Sequence, residues 1–216
     1  MSEQPTIVVV GTGTTTGVPD QCVATVALNA IGTTPAEALD LCAAAADRAV
    51  AALVHEGVER RDVRMTNLSV QDFFDQAAQK VTSRLGSYQL EITVRSLGKV
   101  AGVVAALSDA AGDSLQIRSL HLTLSECEPL RQEAMRLAVG NAMAKAHELS
   151  DVAGLQLGEI LQIQDHGAPG GPQYPVRRLA METSGQMGPT MPIEPGEISA
   201  SASVTMTLSI SPKAPR

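Results

Sequence analysis

The sequence predicts an α+β fold, a mainly antiparallel sheet with three helices in the order β-β-α-β-β-α-β-α-β-β. Three observations carry this. From Glu197 to Ile210 the chain alternates strictly, with Ile198, Ala200, Ala202, Val204, Met206, Leu208 and Ile210 set against Ser, Thr or Glu, the period of a strand with one buried face. Three other segments repeat apolar residues at helical spacing and carry helix start and stop residues. The strands come in hairpin-like pairs between those helices, which favours helices on one face of an antiparallel sheet.

In order, Ile7–Val10 is a short apolar strand, and 22–30 places Cys22, Ala24, Val26, Leu28 and Ala30 on one side of a second. The first helix runs from Pro35 to Glu56, with Thr34 as N-cap and Gly57 closing it. Residues 63–74 make a weaker strand, and 88–96 alternates with Tyr88, Leu90, Ile92 and Val94 inward. A second helix covers Leu97–Ala111 before Gly112. The following strand changes parity between Ile117 and Leu120, which predicts a bulge. The third helix, Pro129–Ala153, repeats Leu130, Ala134, Leu137, Ala138, Ala142 and Leu149 and ends at Gly154. A strand at 158–165 follows. Residues 167–195 are rich in Pro, Gly and Met without periodicity, and are read as a loop, arm or partner-binding segment within a single domain spanning 1–216.

The opening stretch TIVVVGTGTTTGVPDQ resembles a strand feeding a phosphate-binding glycine loop. A dinucleotide fingerprint needs G-x-G-x-x-G and then a helix. Here Gly11, Gly13 and Gly17 have a wider spacing, Pro19 and Asp20 follow, and the chain enters an alternating strand. No Gly-Lys-Ser/Thr follows either. The reading that fits is a glycine-bearing strand end leading through a Pro-Asp turn.

A net charge of −7 argues against a nucleic-acid or anionic-membrane binder, and two Phe, two Tyr and no Trp leave no stacking platform for bases. Ala and Val fill that gap, so helices and sheets are expected to approach closely. No apolar run reaches the length of a transmembrane segment. The start MSEQPTIVVV lacks a basic region, and Cys22, Cys42 and Cys127 show no metal or redox spacing. A cytoplasmic location is therefore the expectation.

The ordered set of IVVVGTGTTTGVPDQCVATVAL, ALVHEGVERRDVRMTNLSVQDFFD, YQLEITVRSLGKVAGVVAALSDAAG, the long Ala-rich helix with GLQLGEILQIQD after it, and the closing ISASASVTMTLSI resembles the SIMPL-domain family, bacterial proteins of unknown function related to a periplasmic immunogenic protein. The resemblance runs from about Thr6 to Ile210. It implies an α+β fold, no established catalytic residues, a tendency to self-assemble and a stress-related or scaffold role.

The residues themselves offer little chemistry. His55, His121, His147 and His166 show no metal-ligand spacing, and no G-x-S-x-G is present. Asp72 and Asp75 beside Phe73 and Phe74 read as exposed loop charges as readily as a carboxylate pair, and Arg60, Arg61 and Arg64 read as a solvated turn. No catalytic residue, cofactor or metal is expected. The leading expectation is a non-enzymatic homo-oligomer or protein-interaction module, with Met181, Met187 and Met191 as an adaptable contact surface. The alternative is a small-molecule binder or enzyme whose site lies beneath 167–195, using Asp165, His166, Tyr174, Arg177 and Arg178.

Overall fold

The computed structural model describes residues 5–75, 79–166 and 196–213. Its elements are β1 (Thr6–Gly17), β2 (Gln21–Gly32), α1 (Pro35–His55), β3 (Val63–Asp75), β4 (Lys80–Val94), α2 (Val100–Ala111), β5 (Leu115–Thr123), α3 (Glu128–Val152), β6 (Leu155–Asp165) and β7 (Ile198–Pro212). The order matches the expectation. The strands, however, form two antiparallel sheets, β1-β7-β6 with α3 and β3-β4-β2-β5 with α1 and α2. Among the described residues the chain divides into two compact units, 5–18 with 126–166 and 196–213, and 19–75 with 79–125.

In the second unit, the inward residues of β2 and β4 pack against α1 and α2. Cys22, Val26, Leu28, Leu53, Ile92, Val103 and Leu107 are all buried there. Thr34 caps α1: its Oγ1 accepts the Glu37 backbone N–H at 3.2 Å, and the Glu37 carboxylate accepts the Thr33 N–H at 2.7 Å. Thr34→Ala is expected to cost about 1 kcal/mol, a drop of about 2–4 °C in melting temperature, measurable by calorimetry. The predicted bulge is present. The β2–β5 register passes from Thr25↔Ser119 to Val26↔Ile117, leaving Arg118 as the extra residue.

In the first unit, β7 is central and its even-numbered apolar residues face α3. Gly11 and Gly13 lie inside β1, not in a loop, and pair with Val204 and Ala202. A Cβ on Gly11 would collide with Ala138 O and lie 2.6 Å from Ala142 N; one on Gly13 would collide with Ala134 O and lie 2.5 Å from Ala138 N. The glycines let the helix backbone settle directly onto the strand. That contact also decides which face of α3 is buried. The inward ridge is Ala134, Ala138, Ala142, Ala146 and Ser150, spaced four apart, whereas Leu137 and Leu149 lie off it, Leu149 being 51% exposed. The leucines expected to form the helix's apolar stripe are too large for the close approach.

Candidate functional site

Three kinds of feature among the described residues bear on function: titratable groups, the opening glycine stretch and the sheet edges.

Several titratable side chains are engaged in holding the fold. Asp62, at the turn before β3, is buried and accepts two hydrogen bonds from Arg95 at the end of β4, Nε–Oδ2 at 2.7 Å and Nη2–Oδ1 at 2.6 Å. The Arg95 guanidinium holds the Asp62 carboxyl below the usual carboxylate range, against the opposing effect of burial. A depressed folded-state value stabilises the protein above the unfolded Asp value of about 3.9, and that contribution fades as pH falls through the folded value. Asp62→Asn is therefore expected to be less stable than the parent at neutral pH, with the gap narrowing below about pH 4. Urea midpoints from pH 6 to pH 3 measure this.

Asp20 of the opening stretch is also structural. Its carboxylate accepts the Ser125 N–H at 2.7 Å and the Ser125 hydroxyl at 2.5 Å, and its own N–H donates to Thr123 O. The turn after β1 is thereby tied to the end of β5. Of the three arginines that follow α1, Arg61 pairs with Glu59 and Arg64 with Glu91. Asp72 lies on β3, in an ion pair with Arg84 at 3.2 Å. Burial pushes the Cys22 thiol up to about 11, so it stays protonated and unreactive at neutral pH. Among the described residues, no three His, Cys, Asp or Glu side chains gather as metal ligands.

Of the ligand residues expected from sequence, Asp165 ends β6 and His166 follows it. His166 N–H donates to Ser203 O at 3.1 Å, and its Nε2 lies 2.6 Å from Thr205 Oγ1, which ties it to the β7 ladder. Tyr174, Arg177, Arg178, Met181, Met187 and Met191 lie outside the described residues.

The edges differ in how they are covered. Along β1, α3 closes the outer side: Thr12 N–H donates to Asn141 Oδ1 at 3.2 Å, and Lys145 Nζ donates to Val10 O at 2.8 Å. The opposite edge, β6, leaves Ile160, Leu161 and Ile163 about half exposed. In the other sheet the edge strand β3 does the same with Met65, Leu68, Phe73 and Phe74. These last two are the chain's only phenylalanines, 49% and 55% exposed. The sequence pattern draws attention to the neighbouring carboxylates Asp72 and Asp75, whereas the structure exposes the two phenylalanines beside them. The missed signal was the scarcity of aromatics elsewhere, since two adjacent Phe in a chain with almost none stand out as surface anchors.

A family model described as SIMPL, protein of unknown function (DUF541), matches residues 7–208. The chain belongs to the SIMPL family. Among its relatives, the 26 kDa periplasmic immunogenic protein of Brucella melitensis biotype 1 is 29% identical over 220 residues, 97% of this chain and 87% of that protein. The uncharacterized protein YggE of Escherichia coli K12 is 23% identical over 188 residues, 85% of this chain and 75% of that one. Among solved structures, an unknown protein from Galdieria sulphuraria covers 88% of this SIMPL chain and 82% of its own at 11% identity, with a TM-score of 0.25, too slight a likeness to bear on function. The expectation of a cytoplasmic location is overturned here, because the relatives in Brucella melitensis and Brucella abortus are both named periplasmic. The composition of MSEQPTIVVV does not by itself determine a compartment. Among the described residues of this SIMPL protein, no helix is long and apolar enough to cross a membrane.

Proposed function

We propose that this SIMPL-family protein is a periplasmic, non-catalytic module that acts by assembling with copies of itself. The observation that carries the reading is the state of the two sheet edges. Leu68, Phe73 and Phe74 on β3, and Ile160, Leu161 and Ile163 on β6, are large apolar side chains left about half exposed on strands that end their sheets. Such strands offer both unpaired backbone groups and apolar area, the two things that strand-to-strand association uses. The names of the Brucella relatives support the compartment, and the family match across both units supports reading 1–216 as one functional domain.

An assembling protein is stabilised by mass action, so its melting temperature rises with its concentration. Scanning calorimetry over a hundredfold concentration range is expected to show that rise. A concentration-independent melting temperature, combined with a saturable upward shift from one member of a metabolite panel, would instead favour a ligand site near Asp165 and His166.

A further inference from the structure

The assembly reading does not say which edge meets which, and β3 contains the information to decide. We infer that β3 pairs with β3 of a second copy, antiparallel about a two-fold axis at Gln71. This inference rests on the assembly reading above.

The argument is one of register. An extra residue, Thr66, interrupts β3 between Met65 and Asn67, whereas the second irregularity, between Phe73 and Phe74, places its extra residue, Thr82, on β4, so β3 itself runs without an inserted residue over 67–75. Within it Leu68, Val70, Asp72 and Phe74 share one face by alternation, and Ser69, Gln71 and Phe73 the other. A two-fold axis perpendicular to the sheet preserves those faces, so each residue meets one of the same face, and successive registers differ by two residues.

With Gln71 on the axis, Leu68 of each copy lies opposite Phe74 of the other, giving two apolar cross-strand pairs, and Phe73 meets Ser69. No like charges face each other. Moving the axis to Val70 puts Leu68 against Asp72 and the irregular Thr66 against Phe74. Moving it to Asp72 puts that carboxylate against its own copy, a repulsive pair. Of the three registers, only the central one pairs Phe74 with Leu68, and it sets Asp72 opposite neither Leu68 nor its own copy but opposite Val70.

The reach of the hairpin fits this arrangement. β2 pairs with β4 only as far as Gly32↔Arg84, so Phe73–Asp75 and the β4 residues facing them extend beyond the third strand as a two-stranded ribbon. Isolated two-stranded ribbons are marginal in water, and a neighbouring strand supplies the missing support. A pairing about nine residues long spans about 30 Å and lies at the small end of specific interfaces, so it should be reversible and concentration-dependent.

Cysteine placement and charge exchange on the full-length protein test the register. On the axis, two Gln71 Cα atoms would lie about 4.5–5.5 Å apart, within disulfide range. Gln71→Cys is expected to form a covalent dimer under oxidised glutathione well above the wild-type background. Asn67→Cys, whose two copies would lie about 27 Å apart, should not. Phe74→Lys should weaken the dimer about tenfold or more, and adding Leu68→Glu, which faces position 74 of the other copy, should restore it. If the wild type exceeds monomer mass but Gln71→Cys stays uncrosslinked and the double variant fails to rescue, this pairing is wrong and the assembly reading stands. A wild type that remains monomeric at about 100 μM overturns both.

Discussion

Gly11→Val is expected to destabilise the protein by about 3 kcal/mol or more, lowering its melting temperature by roughly 6–12 °C. The position is not strained and needs no unusual backbone angle. The cost is steric: the first side-chain carbon would enter the Ala138 carbonyl and sit 2.6 Å from Ala142 N, and both are helix backbone. A flexible side chain could rotate aside, but a helix backbone moves only as a unit, which would open the contacts of Val9, Val204 and Met206. Gly13→Val should behave alike, since Ala134 and Ala138 close over it in the same way. Urea unfolding of the two variants measures the effect. A loss under 1 kcal/mol for both would mean that α3 does not rest on β1 as described.

Leu28→Ala is expected to cost about 3–4 kcal/mol. Leu28 is fully buried in β2, between Tyr88 on β4 and Leu115 on β5, in a core otherwise built largely of Val and Ala. Few neighbours there are long enough to fill the space left behind, so the site should collapse poorly. Phe74→Ala, which removes a larger side chain, is expected to change the stability of the monomer by less than about 0.5 kcal/mol. Finding both substitutions equally harmful would place Phe74 in a core, against its exposure.

Much of this architecture can be read from particular residues. The alternation through Val204, Met206 and Leu208, the Thr34 cap and the parity change after Ile117 are local signals, and each produced the element that it announced. The division into two sheets was not legible, because it depends on β1 pairing with β7 from the far end of the chain, and no local pattern encodes that choice. The glycines of β1 read as a glycine-bearing strand end, and β1 does run through them to Gly17, but their role was not legible, because it depends on the alanine ridge of α3, more than a hundred residues away. The exposed edges were also hidden. β3 and β6 contain apolar residues like any strand, and only the placement of the helices decides which of those are left uncovered. The anchoring roles of Asp20 and Asp62 were not legible either, because each depends on a partner distant in sequence, Ser125 and Arg95.

The central claim is that this SIMPL protein works as an assembly, and its native mass tests that most directly. Light scattering on the intact 22.5 kDa chain across a range of concentrations should give a mass that climbs to a multiple of the monomer. A mass fixed at that of one chain throughout the range would contradict the account.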